Sequence, residues 1–292
     1  MKPPPFAYRR VQTAEEAVER LAQLGDDVKV LAGGQSLVPM LALRLARPRV
    51  LVDVSRVADL RFARREEGGL RIGALARHRD LQSAPVAGGH EVVARTVGLI
   101  GHEPIRTCGT FGGSLAHADP AAEWPLLAVL LDAEIVAQGP AGRRRIPAAD
   151  FFLGYFTTAL AADELLVETL LPRPWHGAAL HEHVRRHGDF ALVAAAAALD
   201  VEEDGRCAAA RVALGAVDDV PLRMPAAEAV LVGTRLPDGA LDEAAHVAAA
   251  AVDPPGDVHA SAAYRRRLVA VLLRRALVEA RDRAGAPIPE LA

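Results

Sequence analysis

The chain has 292 residues, enough to bury a substantial core in one large domain or in two of ordinary size. Apolar residues make up 51% of the sequence and charged residues 24%, which excludes a disordered or fibrous protein. The formal charge is only -3 and the basic residues are spread along the chain, so nothing in the composition indicates nucleic-acid binding.

Two cysteines, Cys108 and Cys207, stand far apart in the sequence. They exclude a disulfide framework, and they also exclude an iron–sulfur cluster held by four thiolates of this chain alone. No apolar run has the length of a membrane span, and residues 1–10 lack the apolar stretch of a signal peptide. We therefore expect a cytoplasmic protein without a transmembrane segment, and attachment to the inner face of the membrane through partners stays open.

The first half of the chain alternates between helical and strand patterns. Thr13 and Glu16 have the spacing of a capping box, and the apolar positions that follow predict a helix that ends at Gly25. Short apolar runs predict strands, and shorter helical patterns lie between them. The predicted strands are 28–32, 50–54, 70–75, 134–137 and 165–171, and the short helices lie around 77–82 and 90–99. This alternation is typical of an α/β domain.

The sequence changes character after a Pro-rich stretch at 172–174, where we place a domain boundary. Residues 190–201 and 206–217 predict two antiparallel strands joined by a turn at Asp204-Gly205. Helices are predicted at 241–252 and 262–284, the last with Leu268, Val271, Leu272 and Arg275 on one face. We expect two domains, residues 1–175 and residues 176–292, the second of them α+β.

Two glycine-rich segments of similar sequence are separated by a whole α/β unit. They read Ala32-Gly33-Gly34-Gln35-Ser36-Leu37 and Thr110-Phe111-Gly112-Gly113-Ser114-Leu115. Without Cβ atoms, consecutive N–H groups can crowd into a concave nest for anionic oxygens, and two such nests suit the adjacent phosphates of a dinucleotide. The alternative is that each Gly-Gly is only a turn. The Rossmann and Walker glycine motifs are both absent from the sequence, so neither way of holding phosphate applies.

The longer segments 31–40 and 108–123 closely resemble the flavin subunit of molybdenum hydroxylases, as found in bacterial carbon monoxide dehydrogenases and xanthine dehydrogenases. Residues 5–8, 43–48 and 185–191 fit the same family, so the resemblance runs nearly end to end. It implies a mixed α/β fold: a two-lobed FAD-binding domain of the vanillyl-alcohol-oxidase type, followed by a smaller α+β domain whose antiparallel sheet packs on helices.

The same resemblance implies which residues surround an FAD cofactor. Around the pyrophosphate it places Val30, Leu31, Ala32, Gly33, Gly34, Gln35, Ser36 and Leu37, together with Thr110, Phe111, Gly112, Gly113 and Ser114. It places Ile100 near the adenine, Glu123 and Asp119 as polar contacts, and Leu166 as an apolar contact. His181 aligns with a lysine of the xanthine dehydrogenase relatives, so NAD use is not carried over from them.

In function, the resemblance implies an FAD-carrying electron-transfer subunit with no catalytic residue of its own for the organic substrate. The implied partners are a large molybdenum-cofactor subunit and a small iron–sulfur subunit, in a heterotrimer that dimerises, and a terminal electron acceptor. Carbon monoxide, purines, N-heterocycles and aldehydes all stay open as substrates. An alternative is a free-standing FAD-dependent oxidoreductase of the same fold.

Four other groups of residues give only weak indications of function. A metal-dependent hydrolase using His117, Asp119 and Glu123 is a remote alternative, and we expect no metal site. The kinase-like run 78–81 lacks its companion motifs. The aromatic residues of 151–156 are expected mainly in the core. Arginine runs at 143–145, 185–186 and 265–267 are expected on solvated faces, where subunit contact is their best use.

Overall fold

The chain begins with a three-stranded parallel sheet in the computed structural model, which describes residues 2–66, 69–82 and 90–285. The sheet has the order β1-β3-β2, with strands β1 (Ala7–Arg10), β2 (Val28–Leu31) and β3 (Val50–Asp53). Helix α1 (Ala14–Leu24) joins β1 to β2, and α2 (Leu37–Ala42) follows β2. The predicted start of α1 is confirmed, because Thr13 Oγ1 accepts the N–H of Glu16.

A five-stranded antiparallel sheet forms the second lobe, in the order β4-β5-β10-β6-β7. Its strands are β4 (Ala63–Glu66), β5 (Gly69–Gly73), β6 (Glu134–Gly139), β7 (Gly142–Pro147) and β10 (Leu165–Leu171). The helices of this lobe are α3 (Glu91–Thr96), α4 (Glu103–Cys108), α5 (Phe111–His117), α6 (Glu123–Leu130) and α7 (Ala148–Phe151). A small hairpin, β8 (Phe152–Gly154) with β9 (Thr157–Thr158), completes it.

The third sheet lies in the second half of the chain and is antiparallel, in the order β11-β12-β13-β14. Its strands are β11 (Gly177–His183), β12 (Val193–Val201), β13 (Cys207–Gly215) and β14 (Leu222–Arg223). Helices α8 (Pro225–Leu231), α9 (Asp238–Ala250) and α10 (Ala262–Ala284) cover one face. The mixed fold, with an antiparallel sheet packed on helices after a two-lobed domain, is confirmed.

Close packing fixes how β11 lies on α10. A Cβ atom at Gly177 would stand 1.9 Å from the carbonyl oxygen of Ala280, a distance that no side chain tolerates. Only glycine therefore lets the strand approach the helix so closely. The opposite face of this sheet meets the first domain, where Ala194 and Ala213 join Leu126 of α6 in one buried apolar cluster.

Three sequence expectations differ from the structure in detail. Of the residues predicted on one face of α10, Leu272 is buried but Val271 is 47% exposed, and the buried side also contains Val269, Leu273, Ala276, Leu277 and Ala280. Phe151 and Phe152 lie in the core as expected, but Tyr155 and Phe156 are more than half exposed. Arg265 is buried and not on a solvated face; it donates to Leu192 O and pairs with Asp257 at 2.7 Å.

Two expectations concern long stretches of the chain: the extent of the second domain and the absence of a membrane span. The second expected domain, 176–292, includes residues 286–292, which lie outside the described residues. In the described ranges no helix combines the length and the apolar character that a membrane span requires.

Candidate dinucleotide site

The first glycine segment lies between β2 and α2. Gly34 has φ +73°, a left-handed conformation that favours glycine, and the Gln35 side-chain amide donates to Gly33 O at 2.9 Å. Within the described part of the chain, no hydrogen-bond acceptor is assigned to the backbone N–H groups of residues 33–36. These residues are partly or largely exposed, so a run of unpartnered donors is accessible to an anionic ligand.

The second glycine segment is not a loop. Thr110 caps α5, and its hydroxyl accepts the Gly113 N–H at 3.1 Å. The N–H groups of Phe111 and Gly112 donate to the carbonyl oxygens of residues 76 and 74, and that of Ser114 donates to Thr110 O. Every amide of 111–114 is therefore already satisfied inside the chain. The expectation of a second open amide nest at 112–114 is wrong, because a helix forms there and uses its own donors.

The two segments nevertheless lie against each other. A Cβ atom at Gly33 would stand 2.5 Å from Cys108 O and 2.8 Å from Gly109 Cα, so the first segment contacts the backbone directly before α5. A Cβ atom at Gly113 would lie 3.9 Å from Ala32 Cβ. The beginning of α5 therefore lies beside the segment whose amides are unpartnered.

Several residues expected around a cofactor are instead part of the packing beneath α5. Phe111 is 2% exposed, with its ring 5.0 Å from that of Trp124. Gly112 packs on Ala74, whose Cα would lie 2.7 Å from a Cβ at that position. Leu166 is 4% exposed and belongs to the same cluster. These residues position α5: the side chains of Phe111 and Leu166 and the backbone of Gly112 hold it against the second sheet.

Ile100 lies in the turn between α3 and α4 and is buried. Its carbonyl oxygen accepts from the Arg106 guanidinium at 3.0 Å, and the same Nη1 donates to Gly101 O at 2.8 Å. Arg106 therefore fixes the backbone of this turn. The turn precedes α4, whose last residue, Cys108, lies against Gly33.

Carboxyl groups lie at the far end of α5. The helix has seven residues and so rises about 10 Å. Asp119 follows in a turn, where its Oδ1 accepts the Ala121 N–H at 2.9 Å, and Glu123 begins α6. Burial raises the pKa of Glu123 to about 7, and the nearby Asp119 also raises it. His117 stacks on Phe156 at 4.8 Å, and burial lowers the pKa of this histidine.

Glu182 was missed by the sequence analysis. It lies on β11, and burial followed by the charge of Glu123 raises the pKa of Glu182 to about 8. A signal for it did exist: alternation along the strand puts His181 and His183 on one face and therefore Glu182 on the other.

His181 does not join the other predicted residues. Its Nε2 lies 2.8 Å from Glu279 Oε2 of α10, on the sheet face turned away from the first domain. Ala179, two residues earlier on that same face, is buried among the residues of the helical layer. The expectation that His181 stands near the cofactor in place of a lysine is therefore corrected, because strand alternation directs Glu182 and not His181 toward Glu123.

The competing constellations find no support in the described residues. The described residues contain no group of three or more His, Cys, Asp or Glu side chains that could hold a metal ion. His78, from the kinase-like run, is buried; its Nδ1 accepts from Trp124 Nε1 at 2.9 Å, and burial lowers its pKa to about 4. A neutral histidine in that position supports the core beneath α5.

Two family models together match most of the chain. Residues 4–174 match the FAD binding domain in molybdopterin dehydrogenase, and residues 178–280 match the CO dehydrogenase flavoprotein C-terminal domain. Among curated proteins, the 6-hydroxypseudooxynicotine dehydrogenase complex subunit alpha of Paenarthrobacter nicotinovorans is 40% identical, with 97% of each chain covered. The carbon monoxide dehydrogenase medium chain of Afipia carboxidovorans is 38% identical, over 97% of this chain and 99% of that one.

Solved structures give the same result. Carbon monoxide dehydrogenase from Hydrogenophaga pseudoflava, in a form lacking the Mo-pyranopterin moiety of its cofactor, superimposes with a TM-score of 0.93 and 38% identity. That match covers 97% of this chain and 99% of the other. Quinoline 2-oxidoreductase from Pseudomonas putida 86 also gives a TM-score of 0.93, with 37% identity over 98% and 100% of the two chains.

Proposed function

Because the chain belongs to the family of FAD-binding medium subunits of molybdenum hydroxylases, we propose that it holds its FAD along α5. The diphosphate lies on the amides of Gly33 to Ser36, and the isoalloxazine extends toward Glu123. The observation that carries this proposal is the run of unpartnered N–H groups at 33–36, packed against the start of α5. Backbone donors of this kind bind anionic oxygens without needing a cationic side chain.

The remaining contacts follow from the same placement. Val30, Leu31, Ala32 and Leu37 line the diphosphate segment, while Thr110, Gly113 and Ser114 form the facing wall. Ser114 is partly exposed, and its amide is already used within α5, so its hydroxyl is the group that α5 offers to a phosphate. Ile100 is assigned to the adenine end and Asp119 to the flavin end. Phe111, Gly112 and Leu166 act indirectly, by holding α5 in place.

The chain is the FAD-carrying electron-transfer subunit of a molybdenum-containing dehydrogenase, and its relatives are subunits of multi-subunit enzymes. Electrons reach its FAD from iron–sulfur clusters of a small partner and leave to a terminal acceptor. This agrees with the two cysteines of the chain, which are too few for a cluster of four thiolates. The protein supplies position, field and solvent access, and the bound flavin supplies the redox chemistry. The assembly is a heterotrimer with a large molybdenum subunit, and it dimerises.

The choice of organic substrate belongs to another subunit. Relatives that are 34% to 40% identical carry the names of enzymes for a nicotine derivative, carbon monoxide, glyceraldehyde and caffeine. Substrates so different in chemistry have no common recognition site, whereas these medium chains are alike over nearly their whole length. One shared electron-transfer module therefore serves many substrates.

The domain boundary is proposed at residues 175 and 176. The two family matches end at residue 174 and begin at residue 178, which supports this position. The intervening segment contains Trp175, which is 4% exposed and lies under the Arg173 guanidinium, 3.8 Å from the ring centroid. The joint is therefore packed against the protein, which favours a fixed arrangement of the two domains.

The experiment is to purify three forms of the full chain side by side: wild type, Gly33→Ala and the matched control Gly239→Ala. Wild type should be yellow and release FAD on denaturation. Gly33→Ala should lose FAD, because its Cβ would lie 2.5 Å from Cys108 O and displace the donor segment. Gly239→Ala should keep it, since nothing lies within 4 Å of a Cβ there. A folded Gly33→Ala chain with one FAD per chain would contradict the assignment.

A further inference from the structure

We propose that Glu123 and Glu182 form a carboxyl pair that holds one shared proton at neutral pH and offers it, as a hydrogen bond, to the isoalloxazine end of the FAD site. The inference rests on the proposed function, because it assigns a role to two side chains at one end of that site. It concerns this chain's own protons, and no electron transfer is involved in it.

Register and packing bring the two side chains to one place. Across the third sheet, Glu182 pairs with Ala194, which in turn pairs with Gly215. A Cβ atom at Gly215 would lie 3.4 Å from both Pro120 O and Leu126 Cδ2, so this row of residues faces the start of α6. Glu123 stands between those two contacts in the sequence. The third sheet therefore directs Glu182 at the same end of α6 where Glu123 lies.

Neither carboxyl has a cationic partner in the described residues. No ion pair of either side chain is found there, and the hydrogen bond that lowers the pKa of Glu123 comes from its own backbone, although both residues are only partly exposed. Asp119 lies close to Glu123, and His117, at the end of α5, lies near Asp119. Arg95 of α3 reaches β11 too, but it donates to Ala178 O and approaches Glu279 on α10. Burial and the repulsion between neighbouring carboxylates therefore both disfavour the charged form of the pair, and no positive charge among the described residues offsets them.

These surroundings favour one shared proton. Burial, together with a neighbouring carboxylate, raises the pKa of Glu123 to about 7 and that of Glu182 to about 8. Two interacting carboxyl groups titrate as a pair, so near neutral pH the pair holds one proton. A carboxylic acid can donate to the carbonyl oxygens and ring nitrogens of an isoalloxazine, whereas a carboxylate can only accept and would repel them.

The sign of the pH dependence follows from linkage. FAD binds better to the protonated pair, so its affinity is full below the pKa of the pair and falls as pH rises through it. For one proton, the dissociation constant increases by up to about tenfold for each pH unit above roughly pH 8. A glutamine keeps an N–H donor and cannot become charged, so one substitution should weaken this dependence and the two together should remove it.

The experiment measures FAD binding to the apo form of the full chain by flavin fluorescence, from about pH 6 to about pH 9.5. Wild type, Glu182→Gln and Glu123→Gln are compared with Glu203→Gln, an equal charge change in the exposed β12–β13 turn. Wild type and Glu203→Gln should show the rising dissociation constant. Glu182→Gln and Glu123→Gln should each show a weaker rise, and the double variant Glu123→Gln with Glu182→Gln should show a nearly constant dissociation constant.

A second readout needs no cofactor. Infrared spectroscopy of the apo chain near pH 7 should show a protonated carboxyl band that is weaker in each glutamine variant and absent from the double variant Glu123→Gln with Glu182→Gln. The proposal is overturned if wild type binds FAD with a constant dissociation constant, if Glu182→Gln keeps the wild-type slope, or if the infrared band is missing. Failure of the chain to bind FAD at any pH would instead overturn the proposed function, and this inference with it.

Discussion

The two glycine segments look alike in sequence but differ in what their backbone does. The amides of residues 33–36 have no assigned acceptor in the described structure, whereas those of residues 111–114 are all bonded within the chain. The first segment can therefore give its donors to a ligand, and the second gives its donors to a helix. Similar glycine patterns thus serve two purposes, since glycine permits both an open donor loop and close backbone packing.

The largest expected effect concerns packing at the second segment. Gly112→Val should destabilise the fold by about 3 kcal/mol or more, because overpacking against the backbone of Ala74 has no room to relax. Thermal unfolding of the apo chain measures this loss. Gly239→Val, on an open surface, is the control and should cost only about 1 kcal/mol or less. Equal losses in the two variants would show that the second segment is not a packing element.

Hydrogen exchange tests the comparison directly. Without FAD, the amides of 33–36 should exchange quickly and those of 111–114 slowly, because only the latter are bonded inside the chain. At an FAD concentration of about 100 times its Kd, the first group should slow by on the order of a hundredfold, which corresponds to about 2.7 kcal/mol. Fast exchange at 111–114 in the apo chain would mean that both segments are open, and the distinction would fail.

The smallest expected effect is at the cap of α5. Thr110→Ala removes the hydroxyl that accepts the Gly113 N–H and should cost about 1 kcal/mol of unfolding free energy. Thr110→Ser keeps an acceptor and should recover most of it. Denaturant unfolding of both variants in the apo form is the measurement. If both variants unfold with the same free energy as wild type, the hydroxyl does not stabilise the start of the helix.

Much of the fold was predicted from local patterns. The strand at Leu165–Leu171 and the helix at Ala262–Ala284 were predicted at their observed bounds, and the turn before Arg206 forms as expected, with Glu202 N donating to Arg206 O at 2.8 Å. These elements have long periodic patterns or strong turn residues. Helices α4, α5 and α6 were missed, because glycine and proline within 101–125 outweighed the helical pattern there.

Some residues of the candidate site were likewise predicted from the sequence, and others were found only in the structure. Sequence patterns identified both glycine segments and the family resemblance identified Glu123, and these residues lie at the two ends of α5. The sequence did not identify Glu182, and the alignment selected its neighbour His181 instead. Along a strand, a shift of one residue moves a side chain to the opposite face, so small errors of alignment reverse a role.

The sequence by itself determined the family and the two glycine segments. It also showed that two cysteines are too few for an iron–sulfur cluster of four thiolates, so that such clusters belong to a partner. Only the tertiary structure decided which amides are open, which strand face meets Glu123, and which glycines serve packing. The physical reason is that a donor becomes free or satisfied according to acceptors distant in the sequence, such as the carbonyl groups of residues 74 and 76 that bond the amides of α5.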